Sequence, residues 1–112
     1  MRLDEIKNRL NLTLLSGNNP LNSNVSRGYV SDLMSDVIAH GKEGDIWITY
    51  QTHLNVIAIA LMKNMAAVIL IQDRVLIPAA AEKAEQEGLP VLSSSKSAFE
   101  IAGELYQLGI PG

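Results

Sequence analysis

Residues 45–62 read DIWITYQTHLNVIAIALM, and the order of apolar and polar side chains within them decides the fold. Ile46-Trp47-Ile48-Thr49-Tyr50 is a short apolar run of strand length. Gln51, Thr52, His53 and Asn55 form a polar group broken only by Leu54, and the residues from Val56 to Met62 are apolar throughout. This is the pattern of a buried strand, a polar turn and a buried helix. A helix with one apolar stripe covers a sheet, whereas one that is apolar all round must be covered twice. The second cover is either the helix expected over 31–40 or the same helix of a second subunit across a two-fold axis. A domain of this size buries little surface by itself, which favours the second subunit. Val56, Ile57, Ile59 and Ala60 are then the expected dimer interface.

The same strand–turn–helix unit recurs downstream. Residues 66–71, AAVILI, are an unbroken apolar run of the kind found in strands covered on both faces of a parallel sheet. Pro78 suits a first helical turn and Gly88 a helix end, with Ala80, Ala81 and Ala84 as a thin apolar face between them. Pro90-Val91-Leu92 is a further strand. Ser97-Ala98-Phe99-Glu100 has the spacing of a capping box, opening a helix whose apolar set is Phe99, Ala102, Leu105 and Leu108, closed by Gly109. The intervals between strands leave room for parallel crossovers.

Upstream, Leu3, Ile6 and Leu10 mark an opening helix. Residues 12–15 form a strand that stops at Gly17-Asn18-Asn19-Pro20. Residues 25–30 are extended, and Gly28 within them signals a bulge or a close backbone approach. Ser31 and Asp32 are expected to cap a helix whose apolar set is Leu33, Met34, Val37 and Ile38, ended by Gly41. The whole is read as one α/β domain over residues 1–112, three-layer-like, with a mostly parallel sheet, βα repeats and flanking helices.

The bulk composition narrows the function classes. Of 112 residues, 47% are hydrophobic and 19% charged, which describes a folded domain and not a disordered segment. The net charge is −3 and the nine Lys and Arg are scattered, so no basic face for nucleic acid is expected. There is no cysteine, which excludes a disulfide scaffold, a thiolate nucleophile and a Cys-bearing zinc site. The first ten residues, MRLDEIKNRL, lack the apolar core of a secretory signal, and no apolar run approaches the roughly 20 residues of a membrane span. A cytoplasmic location, without membrane association, is the expectation.

In an open parallel sheet, ligands bind beyond the carboxyl ends of the strands, where helix N-termini add a partial positive charge. Four polar clusters fall at such positions: Ser31-Asp32; Gln51-Thr52-His53 with Asn55; Gln72-Asp73-Arg74; and Ser93-Ser94-Ser95-Lys96-Ser97. A small anion or phosphate ester suits them, the candidate ligand residues being Ser31, Asp32, Gln51, Thr52, His53, Asn55, Gln72, Asp73, Ser93, Ser94 and Ser95. For Ser31, Asp32 and Ser97, capping alone is the simpler reading. His53 is either a surface or cap histidine or a group that orients a ligand. His40, near a helix end, reads as a dipole contact. No phosphate loop, dinucleotide fingerprint or nucleophile elbow is present. His53 with Asp32, Asp36 or Asp73 could hold a metal, but the spacing is not diagnostic, and neither metal nor cofactor is expected.

The segments GYVSDLMSDVIAHGKEGDIWITYQTHLNVIAIAL, AAVILI and EKAEQEGLPVLSSSKSAFEIAG together resemble the DRTGG domain, over nearly the whole chain. That family is similar to the N-terminal domain of HPr kinase/phosphorylase. It also accompanies phosphotransacetylases and the CBS domains of some inorganic pyrophosphatases. The resemblance implies a regulatory or dimerising part with no catalysis of its own. Where the family name places Asp-Arg after one strand, this chain has Thr52-His53. Where it places Thr-Gly-Gly after the next, the chain has Ile71-Gln72-Asp73. The expected function is a non-catalytic regulatory or ligand-sensing module. It would homodimerise, and its QTHLN turn would contact a small anionic or nucleotide-like ligand or a partner protein. The alternatives are a small enzyme of phosphate or nucleotide chemistry using His53, and an interaction protein without a ligand.

Overall fold

The computed structural model describes residues 1–17 and 21–112. The elements run α1 (Leu3–Arg9), β1 (Thr13–Ser16), β2 (Arg27–Val30), α2 (Met34–His40) and β3 (Asp45–Thr49). They continue as α3 (Leu54–Met62), β4 (Ala67–Leu70), α4 (Pro78–Glu87), β5 (Val91–Ser93) and α5 (Ala98–Gln107). Of the turn expected after β1, Asn18, Asn19 and Pro20 lie outside the described residues.

The strands form one sheet in the order β1-β5-β4-β3-β2. β2, β3, β4 and β5 are mutually parallel, and β1 joins β5 antiparallel at one edge. β3 is buried at every position, because side-chain alternation sends its residues into two cores. Ile46 and Ile48 meet Ile69, Leu92 and residues of α1 and α5. Trp47 meets Val68, Leu70 and the inner faces of α2, α3 and α4. This is a three-layer α/β domain, as the unbroken apolar strands required.

The amino end of β3 is fixed by a charge. The Asp45 side chain is 0% exposed and accepts from Arg27 Nε at 2.8 Å and Nη2 at 2.7 Å. The Lys42 backbone N–H donates to the same carboxylate at 2.8 Å. The bidentate contact raises the Arg27 pKa further above its ordinary value. Gly28 marks no bulge, since the β2–β3 register is continuous. Its N–H instead donates to the Pro111 carbonyl at 2.8 Å, so the end of the chain runs along the β2 edge.

Three expectations are corrected. Val56, Ile57, Ile59 and Ala60 are buried inside this one chain, against the sheet and the flanking helices, with no surface to offer a second subunit. The second cover of α3 comes from α2 and α4 together, and only Leu54, Asn55, Ala58 and Met62 of α3 stay exposed. In α2, Val37 alone is fully buried, while Leu33 and Ile38 face outward. In α5, Phe99 is exposed and Ile101 takes the core position beside Leu105. Leu105, Ala102 and Leu108 of the expected set do pack against the core, so only Phe99 departs from it.

Ile57→Ala should therefore lower the unfolding free energy by about 2–5 kcal/mol, the cost of a buried aliphatic truncation. Urea denaturation measures it, and light scattering should find the subunit number unchanged. A variant that dissociated without losing stability would return Ile57 to an interface.

Candidate functional site

Parallel pairing sets the carboxyl ends of β2, β3, β4 and β5 along one edge, and the loops leaving that edge carry the polar clusters. The structure brings them together in two groups.

The first group is built around Asp32. Its carboxylate accepts from the Thr49 hydroxyl at 2.8 Å and from the Tyr50 backbone N–H at 2.8 Å. Its carbonyl accepts from Gln51 Nε2 at 3.2 Å. Asp32 is thus not the cap of α2. Leu33 holds the N-cap position, and the Ser31 hydroxyl accepts the Leu33 N–H at 3.2 Å. Asp32 clasps the loop after β2 to the turn after β3. Thr49 is buried, so its hydroxyl needs an internal partner, and Asp32 supplies one.

Arg74 completes this group. Its guanidinium lies over the Tyr50 ring, 4.2 Å from the centroid, the arrangement of a cation–π contact. It also donates to the Tyr50 hydroxyl and to the buried Thr52 hydroxyl, each at 3.4 Å, the long end of hydrogen bonding. Among the described residues, Arg74 forms no ion pair with a carboxylate. Local backbone geometry places it there. Gln72 and Asp73 both take positive φ, 54° and 58°, in the left-handed region that non-glycine residues seldom occupy. Their N–H groups donate to the carbonyls of Lys96 at 3.0 Å and Ser94 at 2.9 Å. The Ile77 N–H donates to the Thr52 carbonyl at 3.1 Å. The loop after β4 is thereby tied on both sides, and Arg74 projects between the ties.

His53 and Asn55 sit at the start of α3 and are exposed. His53 occupies the N-cap position without a side-chain cap bond, and among the described residues its ring has no hydrogen-bond partner. Exposed Leu33, Leu54 and Val75 flank the polar groups on the three loops.

The second group lies one strand over. Asp73, Ser93, Ser94, Ser95 and Lys96 line an open hollow of about 260 Å³, with Asn11 opposite. Its cation is already engaged, because Lys96 pairs with Glu104 of α5, which also raises the Lys96 pKa. Ser97 belongs to neither group. It caps α5 as expected, accepting the Glu100 N–H.

The clasp rests on α2, which is tied to β2 by a further carboxylate. Asp36 accepts from the Tyr29 hydroxyl at 2.7 Å and lies 3.0 Å from His40 Nδ1. His40 thus contacts a side chain and not merely a helix end. The Tyr29 bond, with Ser31 and His40 adding to it, holds the Asp36 carboxyl below the ordinary carboxylate range. Tyr29 is correspondingly pushed up, chiefly by Asp36.

Of the expected site residues, Ser31, Asp32, Gln51 and Thr52 converge, His53 and Asn55 border them, and Asp73 joins Ser93, Ser94 and Ser95 in the hollow. Gln72 shapes the turn beside both. Arg74 and Tyr50 were not among the expected site residues. The only signal for Arg74 was its place as the last residue of a polar triplet after an apolar strand.

No family model matches the chain, and neither does any curated protein. Among solved structures, the chain is similar to the crystal structure of the CBS and DRTGG domains of the regulatory region of Clostridium perfringens pyrophosphatase, complexed with its activator, diadenosine tetraphosphate. The TM-score is 0.74 at 17% identity, over 98% of this chain and 47% of that one. The chain thus spans about half the length of that neighbour and shares its α/β fold.

Because Asp36 is more acidic in the folded chain, its contribution to stability is present above the unfolded carboxylate pKa, about 3.9. It is lost as the pH falls through the lower folded value. Asp36→Asn should lower the urea midpoint at neutral pH, and the gap to the wild type should close in acid. A gap independent of pH would mean that the charge of Asp36 is not what holds α2.

Proposed function

We propose that the chain is a regulatory, ligand-sensing module of the DRTGG type. It binds a small phosphate-bearing, nucleotide-like ligand at the carboxyl edge of its sheet. The observation that carries this reading is Arg74: a guanidinium braced on Tyr50, beside Thr52 and the start of α3, with no carboxylate against it among the described residues. The edge of a guanidinium matches phosphate oxygens in pairs, and a guanidinium stacked on a ring is already oriented for them. Where the family name places a guanidinium after the strand, this chain has Thr52-His53, and in this reading the neighbouring loop supplies the cation as Arg74. Exposed Leu33, Leu54 and Val75 offer apolar surface to a planar base, and exposed His53 offers a further polar contact. The structural neighbour holds a dinucleoside polyphosphate in its regulatory region, and the likeness covers 47% of that chain. The module is further proposed to be cytoplasmic and to form homodimers, through a surface other than α3.

A thermal-shift series with inorganic phosphate, ATP, adenosine and diadenosine tetraphosphate tests the reading. The polyphosphates should raise the melting temperature of the wild type. Arg74→Ala should weaken that binding by about tenfold or more, the worth of one charge-assisted hydrogen bond. A wild type that none of these ligands shifts would refute the sensing role.

A further inference from the structure

The outer face of α5 is unlike that of any other helix in the fold. Ile101 and Leu105 point inward and complete the core. Outward, Phe99 is 88% exposed and Tyr106 is 74% exposed, with Gly103 midway between them. Glycine is among the worst residues for a helix interior, so a mid-helix glycine usually answers to a close approach. The chain itself does not ask for it, because a Cβ at Gly103 would meet nothing within 4 Å. Beside Tyr106 lies an apolar groove of about 140 Å³, lined by Gly28, Val30, Ile48, Ala102, Leu105 and Pro111. One face thus carries projecting rings, a flat crossing point and a recess.

We propose that this face is where a second copy of the chain docks, with the two α5 helices crossing antiparallel at Gly103 about a two-fold axis. The inference rests on the self-association proposed above and gives it a location. Two-fold pairing needs a surface that complements itself. An antiparallel crossing centred on Gly103 sets Tyr106 level with Glu100 of the partner subunit, so a phenol O–H donor faces a carboxylate acceptor, twice over. It brings the Phe99 ring toward the end of α5 where the groove of the partner subunit lies. Glu100 is exposed and forms no ion pair among the described residues, whereas Glu104 is already held by Lys96. The two rings alone expose roughly 300 Å² per copy. A standard interface takes about 800 Å² per partner, some six-tenths of it apolar at the centre, so the rings supply more than half of the apolar part.

Sedimentation equilibrium of the full chain tests the proposal. The wild type should be dimeric at tens of micromolar. Gly103→Leu should weaken the dimer by about tenfold or more, while its dilute thermal midpoint holds or rises, since glycine disfavours helix. Tyr106→Glu should also weaken it, and adding Glu100→Lys should restore it by a charge pair across the axis. A wild-type dimer that Gly103→Leu leaves intact would overturn this interface and leave self-association standing. A wild-type monomer would overturn both. Nucleotide binding is read separately through Arg74→Ala, so its failure would touch neither result.

Discussion

β3 is buried on both faces, and every polar group at its ends must therefore find a partner inside the chain. An unsatisfied buried polar group costs about 1–3 kcal/mol, and an unpaired buried charge about 3–5 kcal/mol. Against a folding free energy of roughly 5–15 kcal/mol, either is a large fraction. At the amino end the solution is the bidentate Arg27–Asp45 pair. At the carboxyl end it is Asp32 on Thr49, with the Trp47 indole N–H donating to the Ser31 carbonyl at 2.8 Å. These bonds fasten β2 and its following loop to β3. Ser31 and Asp32 are drawn to the turn after β3 because the buried Trp47 and Thr49 would otherwise be left unsatisfied.

The same constraint explains which parts of the structure could be read from the sequence. Unbroken apolar runs at 46–50 and 66–71 can be satisfied only between two layers of helix, so the parallel three-layer arrangement was legible. α3 was legible as doubly covered, but periodicity does not say by what. Its neighbours α2 and α4 are each only partly apolar, and their combined cover is visible only in three dimensions. In α5 only Phe99 departs from the expected set: it outweighs Ile101 by size, but Ile101 and Leu105 are the pair that faces the sheet. Ser31 and Asp32 looked like caps because capping and long-range clasping use the same short acceptors.

The seat of Arg74 over Tyr50 was not legible for a different reason. Its position depends on two successive left-handed residues, Gln72 and Asp73, and neither is a glycine that would have announced the turn. Left-handed conformations cost on the order of 1–2 kcal/mol each for such residues. Here the cost is offset by two backbone hydrogen bonds to the loop after β5. Without that loop the turn would relax and the guanidinium would leave Tyr50. The cation at the site is thus a property of three loops packed together, not of the segment that contains it.

The contacts in the site differ in strength, and under the proposed sensing role that order matters. The Asp32 bonds to Thr49 and Tyr50 are short, at 2.8 Å, and one of them satisfies a buried group. The Arg74 bonds to Tyr50 and Thr52 are long, at 3.4 Å. A ligand shifts a conformational equilibrium only by its differential affinity for the two states. In the proposed role, an anion that engaged Arg74 would displace weak bonds and gain strong ones, so its binding energy would act on the loop after β4 and not on the clasp. That loop leads directly into α4, the helix that covers α3 from one side. The soft contact thus lies a few residues before α4, and in the proposed sensing role a shift in that loop would reach the core through Ala80 and Ala84.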